Sequence, residues 1–463
     1  MMSVTQTAAC RVNALLDANS FVEIGAQVTA RSTDFNLTAK SAPSDGVLTG
    51  YGTVDGSLVY VYCQDAAVLG GSIGEMHAKK IVRIYDLARK MGAPVVAVLD
   101  SSGVRIEEAA DALNALGEIM NRQIMSSGVV PQITVVLGTC GGGLSFIPAL
   151  SDFAFMSESA KLFVHTPDAV EGNSADKKDT SSAAFQAEAG NVDVTGSEEE
   201  VIAEVRRLLG FLPCNNEDDG EICDCTDDLN RSTPNLSTLS GDAAQIAAQI
   251  ADNGDFFELK KDFGRNMVTG FMRLNGQTVG VVANRGIKNT ICPNCAKKAA
   301  RFIKICDAFN IPVLTLANAS AVKNSEKAEY AMPEAAALLT SAYANATVPK
   351  VTVVTGKNYG SAYVIMGSKA VGADIVYAWP GAEIGTMDAK QAGKILAAGE
   401  DAKSMNEAAK AYAALQQNVL SAAQRGYVDT IIEEADTRKY VIGAFEMLYT
   451  KSEDRPARKH GTV

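Results

Sequence analysis

Four short turns in this 463-residue sequence could do chemistry with little more than backbone. The stretch "VVLGTCGGGLSF" (135–146) runs an apolar strand into the glycine cluster "GTCGGG" (138–143), and "DSSGVR" (100–105) ends a second apolar strand, "PVVAVLD". Small residues at such strand ends let a ligand approach the main chain closely. Two peptide N–H groups, one from each turn, converging on one point would form an oxyanion hole, and one such donor is worth about 3 kcal/mol, or roughly 10²–10³ in rate.

Other chemistries fit these residues less well. "GTCGGG" lacks the Gly-Lys-Ser/Thr ending of a Walker loop, and "GGSIGE" (70–75) lacks the strand-turn-helix context of a dinucleotide fingerprint. Cys140 as a nucleophile would need a base, and the chain has only three histidines, His77, His165 and His460. Tight turns with no chemistry remain an open alternative on the residues alone.

The turns recur because the chain repeats itself. With a shift of 218 residues, "AKKIVRI" at 78–84 faces "AKKAARF" at 296–302, Pro94 faces Pro312 and Pro131 faces Pro349. With a shift of 220, "GYGTVDGSLVYV" (50–61) faces "GFMRLNGQTVGV" (270–281), and Asp55-Gly56 and Asn275-Gly276 are matching hairpin signals. The turns "NASAVK" (318–323) and "GKNYGS" (356–361) are therefore the second copies of "DSSGVR" and "GTCGGG". Fixed order and spacing indicate a duplicated domain.

Each copy reads as a hairpin, a helix, a buried Val/Ile/Leu strand, a second helix and a second buried strand, an α/β pattern with strands covered on both faces. Ligands in such units bind outside the carboxyl ends of the strands, where these turns lie. The expected domains are 1–210 and 239–463, joined by the acidic, proline-marked linker 211–238, and the polar segment 166–196 reads as a surface loop with short helical pieces.

Composition narrows the function classes. A formal charge of −12 argues against nucleic acid as the main partner, which needs a basic face. No apolar run reaches the roughly 18–20 residues of a membrane span, and the N-terminal stretch has no signal-peptide pattern, so no membrane insertion and a cytoplasmic location are expected. The nine cysteines are read as reduced thiols. Cys214, Cys223 and Cys225 lie far along the chain from the "CPNC" pair Cys292 and Cys295, and Cys295 aligns with His77 just before the repeated Ala-Lys-Lys helix start. No metal site is therefore expected.

Long motifs now carry a resemblance. "RVNALLDANSFVEIG", "GYGTVDG", "GGSIGEMHAKKI", "DSSGVRIEE", "SSGVVPQITVVLG" and "SDFAFM" resemble the N-terminal half of biotin-dependent acyl-CoA carboxylase carboxyltransferases. "FLPCNN", "AARFIKICDAFNIPVL", "ATVPKVTV", "YGSAYVIMGSKAVGADIVYAWPGAEIG", "GYVDTII" and the near-terminal "ARKHG" resemble the C-terminal half. The family includes propionyl-CoA carboxylase β chains, transcarboxylase and methylmalonyl-CoA decarboxylase α subunits. It implies two tandem crotonase-like (ClpP/crotonase) domains and carboxyl transfer between carboxybiotin on a separate carrier protein and a short-chain acyl-CoA, run either as carboxylation or as decarboxylation in a membrane-pump complex.

By this resemblance the first half binds the coenzyme A thioester, with the amides of Val104, Gly142 and Gly143 on the enolate oxygen. The second half receives biotin, with the amides of Val322, Gly360 and Ser361 on its ureido oxygen. Gly70, Gly71, Gly103 and Ala362 are expected to line the ligands. The implied partners are a biotin carrier protein and either biotin carboxylase or membrane decarboxylase subunits. The implied assembly is a homohexamer, a trimer of dimers, with each site formed by the first half of one subunit and the second half of another. The chain has no Ala-Met-Lys-Met biotinyl motif, which agrees with a separate carrier.

Remaining residues are expected to be structural. Lys79, Lys80, Arg83 and their copies Lys297, Lys298 and Arg301 read as a solvated helix face, His77 as a cap or core residue, and Trp379 as packing. Arg105 either meets substrate or pairs with Glu107 or Glu108. Two rival readings stand beside the first: a crotonase-type acyl-CoA hydratase or hydrolase without biotin, and a non-catalytic member with a degenerate biotin half.

Overall fold

A computed structural model describes residues 7–31, 42–218, 220, 222–239, 241–285 and 289–455; the "ARKHG" motif lies outside them. The chain divides into two units, Met1–Gly220 and Glu221–Val463.

In the first unit, helix α1 (Ala8–Leu15) precedes strands β1 (Val22–Glu23), β2 (Val47–Val54) and β3 (Ser57–Gln64). Helix α2 (Glu75–Met91), β4 (Val95–Ser101), α3 (Ala109–Ser126), β5 (Gln132–Gly141), α4 (Phe146–Leu150), β6 (Phe153–Ser157), β7 (Lys161–Phe163), α5 (Ala183–Ala189), β8 (Val194–Gly196) and α6 (Glu198–Leu209) follow. The sheet order is β1-β2-β3-β4-β5-β6-β8, with β7 on the end of β5. Only β1-β2 and β2-β3 pair antiparallel; the later pairings are parallel. All seven residues of β4 are buried, as expected for a strand covered on both faces.

The second unit comprises α7 (Ala243–Ile250), β9 (Phe256–Leu259), β10 (Met267–Leu274), β11 (Gln277–Asn284), β12 (Thr290–Ile291), α8 (Pro293–Ala308), β13 (Val313–Ala317) and β14 (Ala321–Val322). After these come α9 (Glu326–Glu329), α10 (Met332–Asn345), β15 (Lys350–Val354), β16 (Lys357–Tyr359), α11 (Gly360–Ile365), β17 (Ile375–Ala378) and β18 (Glu383–Gly385). Helices α12 (Ala389–Leu396), α13 (Ala402–Tyr412) and α14 (Val419–Gln424), strand β19 (Thr430–Ile431) and α15 (Thr437–Met447) complete it. Its main sheet, β19-β17-β15-β13-β11-β10-β9, repeats the first unit's order, and β12-β14 and β16-β18 form two small parallel pairs.

The repeat extends to single hydrogen bonds. Both hairpins turn through two positive-φ residues, Asp55-Gly56 and Asn275-Gly276, the twist-matched geometry for two-residue loops. The amide of Asp100 donates to Gln64 Oε1 at 3.2 Å, and that of Asn318 to Asn284 Oδ1 at 2.9 Å. In turn Asp100 Oδ1 accepts from the amide of Thr139, and Asn318 Oδ1 from the amide of Lys357. The first pair of contacts ties each first turn to the end of the hairpin strand, and the second pair fastens it to the neighbouring turn. Gly138 and Gly356 are needed there: an added Cβ would stand 1.9 Å from Asp100 Oδ1 or 2.7 Å from Asn318 Oδ1.

Within 211–238, the expected linker, the described residues are anchored at several points. Asn215 Nδ2 donates to Gly92 O and the amide of Asn216 to Val129 O within the first unit. From residue 222 the segment joins the second unit, where Leu236 enters the core and buried Thr233 bonds Ala435 O. Its polar residues satisfy loop backbone groups, so polarity alone did not mark it as free. Segment 166–196 holds α5 and also the edge strand β8.

Candidate active site

In each unit the first turn is held by a short parallel contact that fixes where one amide points. Ile73 donates to Gly103 O at 2.9 Å and accepts from the amide of Arg105 at 2.8 Å, pairing with Val104. In a parallel ladder the residue between two bonded neighbours turns its own N–H to the other side. The Val104 amide is thus directed away from Ile73. The second unit repeats this 218 residues later: Ile291 pairs with Val322 and accepts from the amide of Lys323 at 2.8 Å, which turns the Val322 N–H away from β12.

The second turn supplies helix-start amides. Gly142 (φ +62°) opens a 3₁₀ turn and Gly360 (φ +56°) opens α11; both occupy the left-handed region that suits glycine. The first N–H groups of a helix, here those of Gly142 with Gly143 and of Gly360 with Ser361, have no acceptor within it and form an anion-attracting end. The turns are neighbours: Ser101 pairs with Cys140, a Cβ on Gly103 (φ +105°) would lie 3.9 Å from Gly141 O, and the amide of Tyr359 donates to Ala319 O.

Gly70 and Gly71 back the first turn. The amide of Ser102 donates to Gly70 O at 2.9 Å, and a Cβ on Gly71 would meet Asp100 O at 2.3 Å. Their place is behind the turn, where they permit close packing.

In the second unit Val322, Gly360 and Ser361 line one cleft of about 820 Å³, together with Lys357, Tyr359 and Glu383. Ala362 does not line it: that residue is 1% exposed, turned into the unit on the first turn of α11. Sequence reasoning passed over Asn318, Tyr359 and Glu383. The Tyr359 hydroxyl donates to Glu383 Oε2, and Gln417 Nε2 donates to the same carboxylate oxygen. Burial, then the neighbouring carboxylate, pushes the Tyr359 phenol well above its ordinary value, so it stays a donor. The quoted "YAWPGAEIG" contained Glu383, but only the β16-β18 pairing brings it beside Tyr359.

Side chains that could have served other chemistries are otherwise engaged. Cys140 is fully buried in the first unit's apolar core, where burial raises its thiol well above the ordinary range. Arg105, 2% exposed, binds Asp45 Oδ1 at 2.8 Å and Glu108 Oε1 at 2.7 Å, so its guanidinium is structural. Glu108 also accepts the amide of Glu75 at the start of α2. Trp379 is buried and donates to Thr437 Oγ1.

The expected solvated helix face holds for Lys79 and Lys297, which pair with Glu75 and Glu334. It fails for Lys80 and Lys298. These are buried, and their ammonium groups bond main-chain carbonyls in the preceding loop and at the strand start, those of Ser44 and Val47 and those of Lys260, Phe263 and Met267. Burial brings both down to about 8. Each long stem crosses the apolar layer to satisfy carbonyls that the preceding loop and strand start leave open. Among the described residues no three His, Cys, Asp or Glu side chains cluster as metal ligands, and no helix is long and apolar enough to cross a membrane.

The carboxyl transferase domain profile matches residues 4–463. The propionyl-CoA carboxylase beta chain of Roseobacter denitrificans is 42% identical, covering 99% of this chain and 93% of its own. The methylmalonyl-CoA decarboxylase subunit alpha of Veillonella parvula is 40% identical, covering 99% and 92%. A crystal structure of transcarboxylase 12S, a hexamer with hydrolysed methylmalonyl-coenzyme A bound, superposes with a TM-score of 0.95 at 37% identity, covering 99% of this chain and 92% of that one.

Proposed function

Because this chain belongs to the carboxyl transferase domain family, we propose that it moves a carboxyl group between biotin on a separate carrier chain and a short acyl-CoA of the propionyl/methylmalonyl type. The observation that carries this reading is the duplicated amide pair, Val104 with Gly142 and Gly143 in one unit and Val322 with Gly360 and Ser361 in the other. Two similar oxygens must be polarised in such a transfer, a thioester carbonyl and a ureido carbonyl, and each unit offers one set of donors.

The first unit holds the thioester. Its amides would stabilise the enolate oxygen that develops when the carbon next to the carbonyl gains or loses its carboxyl group, a role worth roughly 10²–10³ in rate per donor. The second unit's cleft would receive biotin: it has a mixed polar and apolar lining, and the absence of a side chain at Gly360 keeps it clear, since a Cβ there would stand 3.0 Å from Thr386 O. Biotin on its carrier supplies the nitrogen that accepts or delivers the carboxyl group. Val322, Gly360 and Ser361 would orient its ureido oxygen, while Tyr359, Glu383 and Gln417 brace the cleft wall. No side-chain base is required, which agrees with the engaged Cys140 and Arg105.

The similar decarboxylase subunit favours a partner complex with membrane-embedded subunits, and the carboxylase relatives favour a biotin carboxylase. Both are compatible with a cytoplasmic subunit and with a hexamer like that of transcarboxylase 12S. Incubation with methylmalonyl-CoA and free biotin should release CO2 from the thioester at a rate that rises with biotin concentration. Turnover indifferent to biotin would instead support a hydratase or hydrolase. Folded protein that binds CoA but not biotin would support the non-catalytic reading.

A further inference from the structure

The two copies of the fold differ at the start of the helix after the hairpin. Helix α2 begins at Gly74, which offers no capping side chain. Its counterpart α8 begins at Cys292, whose sulfur accepts the amide of Cys295 at 3.2 Å, with Pro293 at the first helical position. The pair forms a Cys-Pro-Asn-Cys motif on one helix face, the thiols three residues apart and the Cys292 sulfur held over the first turn by the Cys295 amide. Cys292 is partly exposed and Cys295 is buried, its sulfur 3.7 Å from Gly264 O.

The neighbouring Cys295 thiol, then the first-turn amides, hold the Cys292 thiol below its ordinary value, while Cys292 and burial hold Cys295 above it. Such an asymmetric pair has an attacking and a resolving sulfur. Neither residue belongs to the candidate carboxyl-transfer site. Yet Cys292 directly follows Ile291, whose carbonyl accepts the Lys323 amide and thereby aims Val322.

We propose that Cys292 and Cys295 are a reversible dithiol–disulfide pair, and that closing the bridge loosens the β12-β14 ladder that presents Val322. The oxidant is a low-molecular-weight disulfide. The Cys292 thiolate attacks one of its sulfurs, releasing one thiol and leaving a mixed disulfide. Cys295 then attacks the Cys292 sulfur, and its proton passes to the departing sulfur, which leaves as the second thiol. The two cysteines are oxidised by two electrons and the reagent is reduced to two thiols. Bridging takes Cys292 Sγ from the Cys295 amide, so the helix loses its cap and the adjoining β12 shifts.

The test equilibrates the full chain with oxidised glutathione, then alkylates it and maps its peptides. The expected product is a 292–295 peptide lighter by two hydrogens, restored by dithiothreitol. Free thiols at both positions, or a bridge only to other cysteines, would overturn the assignment. Hydrogen exchange over 320–323 should quicken about tenfold or more in the bridged protein, as local opening of a two-residue ladder predicts; unchanged exchange would overturn the coupling. Cys292→Ser, whose hydroxyl still caps the helix, should show no response to the oxidant. Biotin-dependent turnover should fall with the bridge and recover on reduction. The link to turnover rests on the carboxyl-transfer reading; the peptide and exchange readouts do not, so the two can fail separately.

Discussion

At the residue scale, the functional groups proposed here are amides rather than side chains, and their direction follows from neighbours. Val322 illustrates this. Its N–H points away from β12 because Ile291 bonds the residues on either side of it. A proline at this position should therefore cost no ladder bond, since strand proline is tolerated where the N–H faces outward. Val322→Pro should lower biotin-dependent turnover by about 10²–10³ while leaving thermal unfolding nearly unchanged. An unaltered rate, measured on folded protein, would remove Val322 from the donor set. The sequence pointed to this residue through the repeat and the family resemblance, but it could not show which way the amide faces.

At the element scale, helix starts decide how the turns are braced. Helix α2 begins against Asp45, Arg105, Glu108 and His77, all buried. His77 Nδ1 lies 2.9 Å from Asp45 O, and its amide donates to Asp45 Oδ2 at 2.8 Å. Burial brings the imidazole down from 6.5 to about 3, so it folds neutral. The unfolded chain then binds one more proton than the folded chain between those two values. The contribution from His77 is therefore complete above about pH 6.5 and is lost as pH falls towards 3, amounting to a few kcal/mol. Denaturant unfolding of the wild type should weaken across pH 6.5 to 4, and His77→Gln should flatten that slope. An identical slope in the variant would assign the acid sensitivity elsewhere. Sequence reasoning had His77 as cap or core, and it is both core and neighbour to the cap. It missed the burial of Lys80 and Lys298, because a lysine in a helical pattern reads as solvent-facing until the main-chain carbonyls it satisfies are known.

At the scale of the whole molecule, duplication explains why one chain carries two similar donor sets in two cores of its own. Native mass measurement should give a particle near six times 48.7 kDa, the hexamer proposed from transcarboxylase 12S; a stable monomer active with free biotin would contradict that proposal. The sequence alone determined the duplication, the α/β class, the hairpin turns and the family, because these reside in local pattern: periodic apolar strands, positive-φ turn residues and long motifs at fixed spacing. Only the tertiary structure decided that Thr233 and Leu236 of the expected linker are buried, that Arg105 is locked between carboxylates, that Ala362 faces inward, and that Tyr359 meets Glu383 at the cleft. Those facts depend on which distant segments come together, and burial then converts a polar residue from solvent-facing to satisfied within the fold.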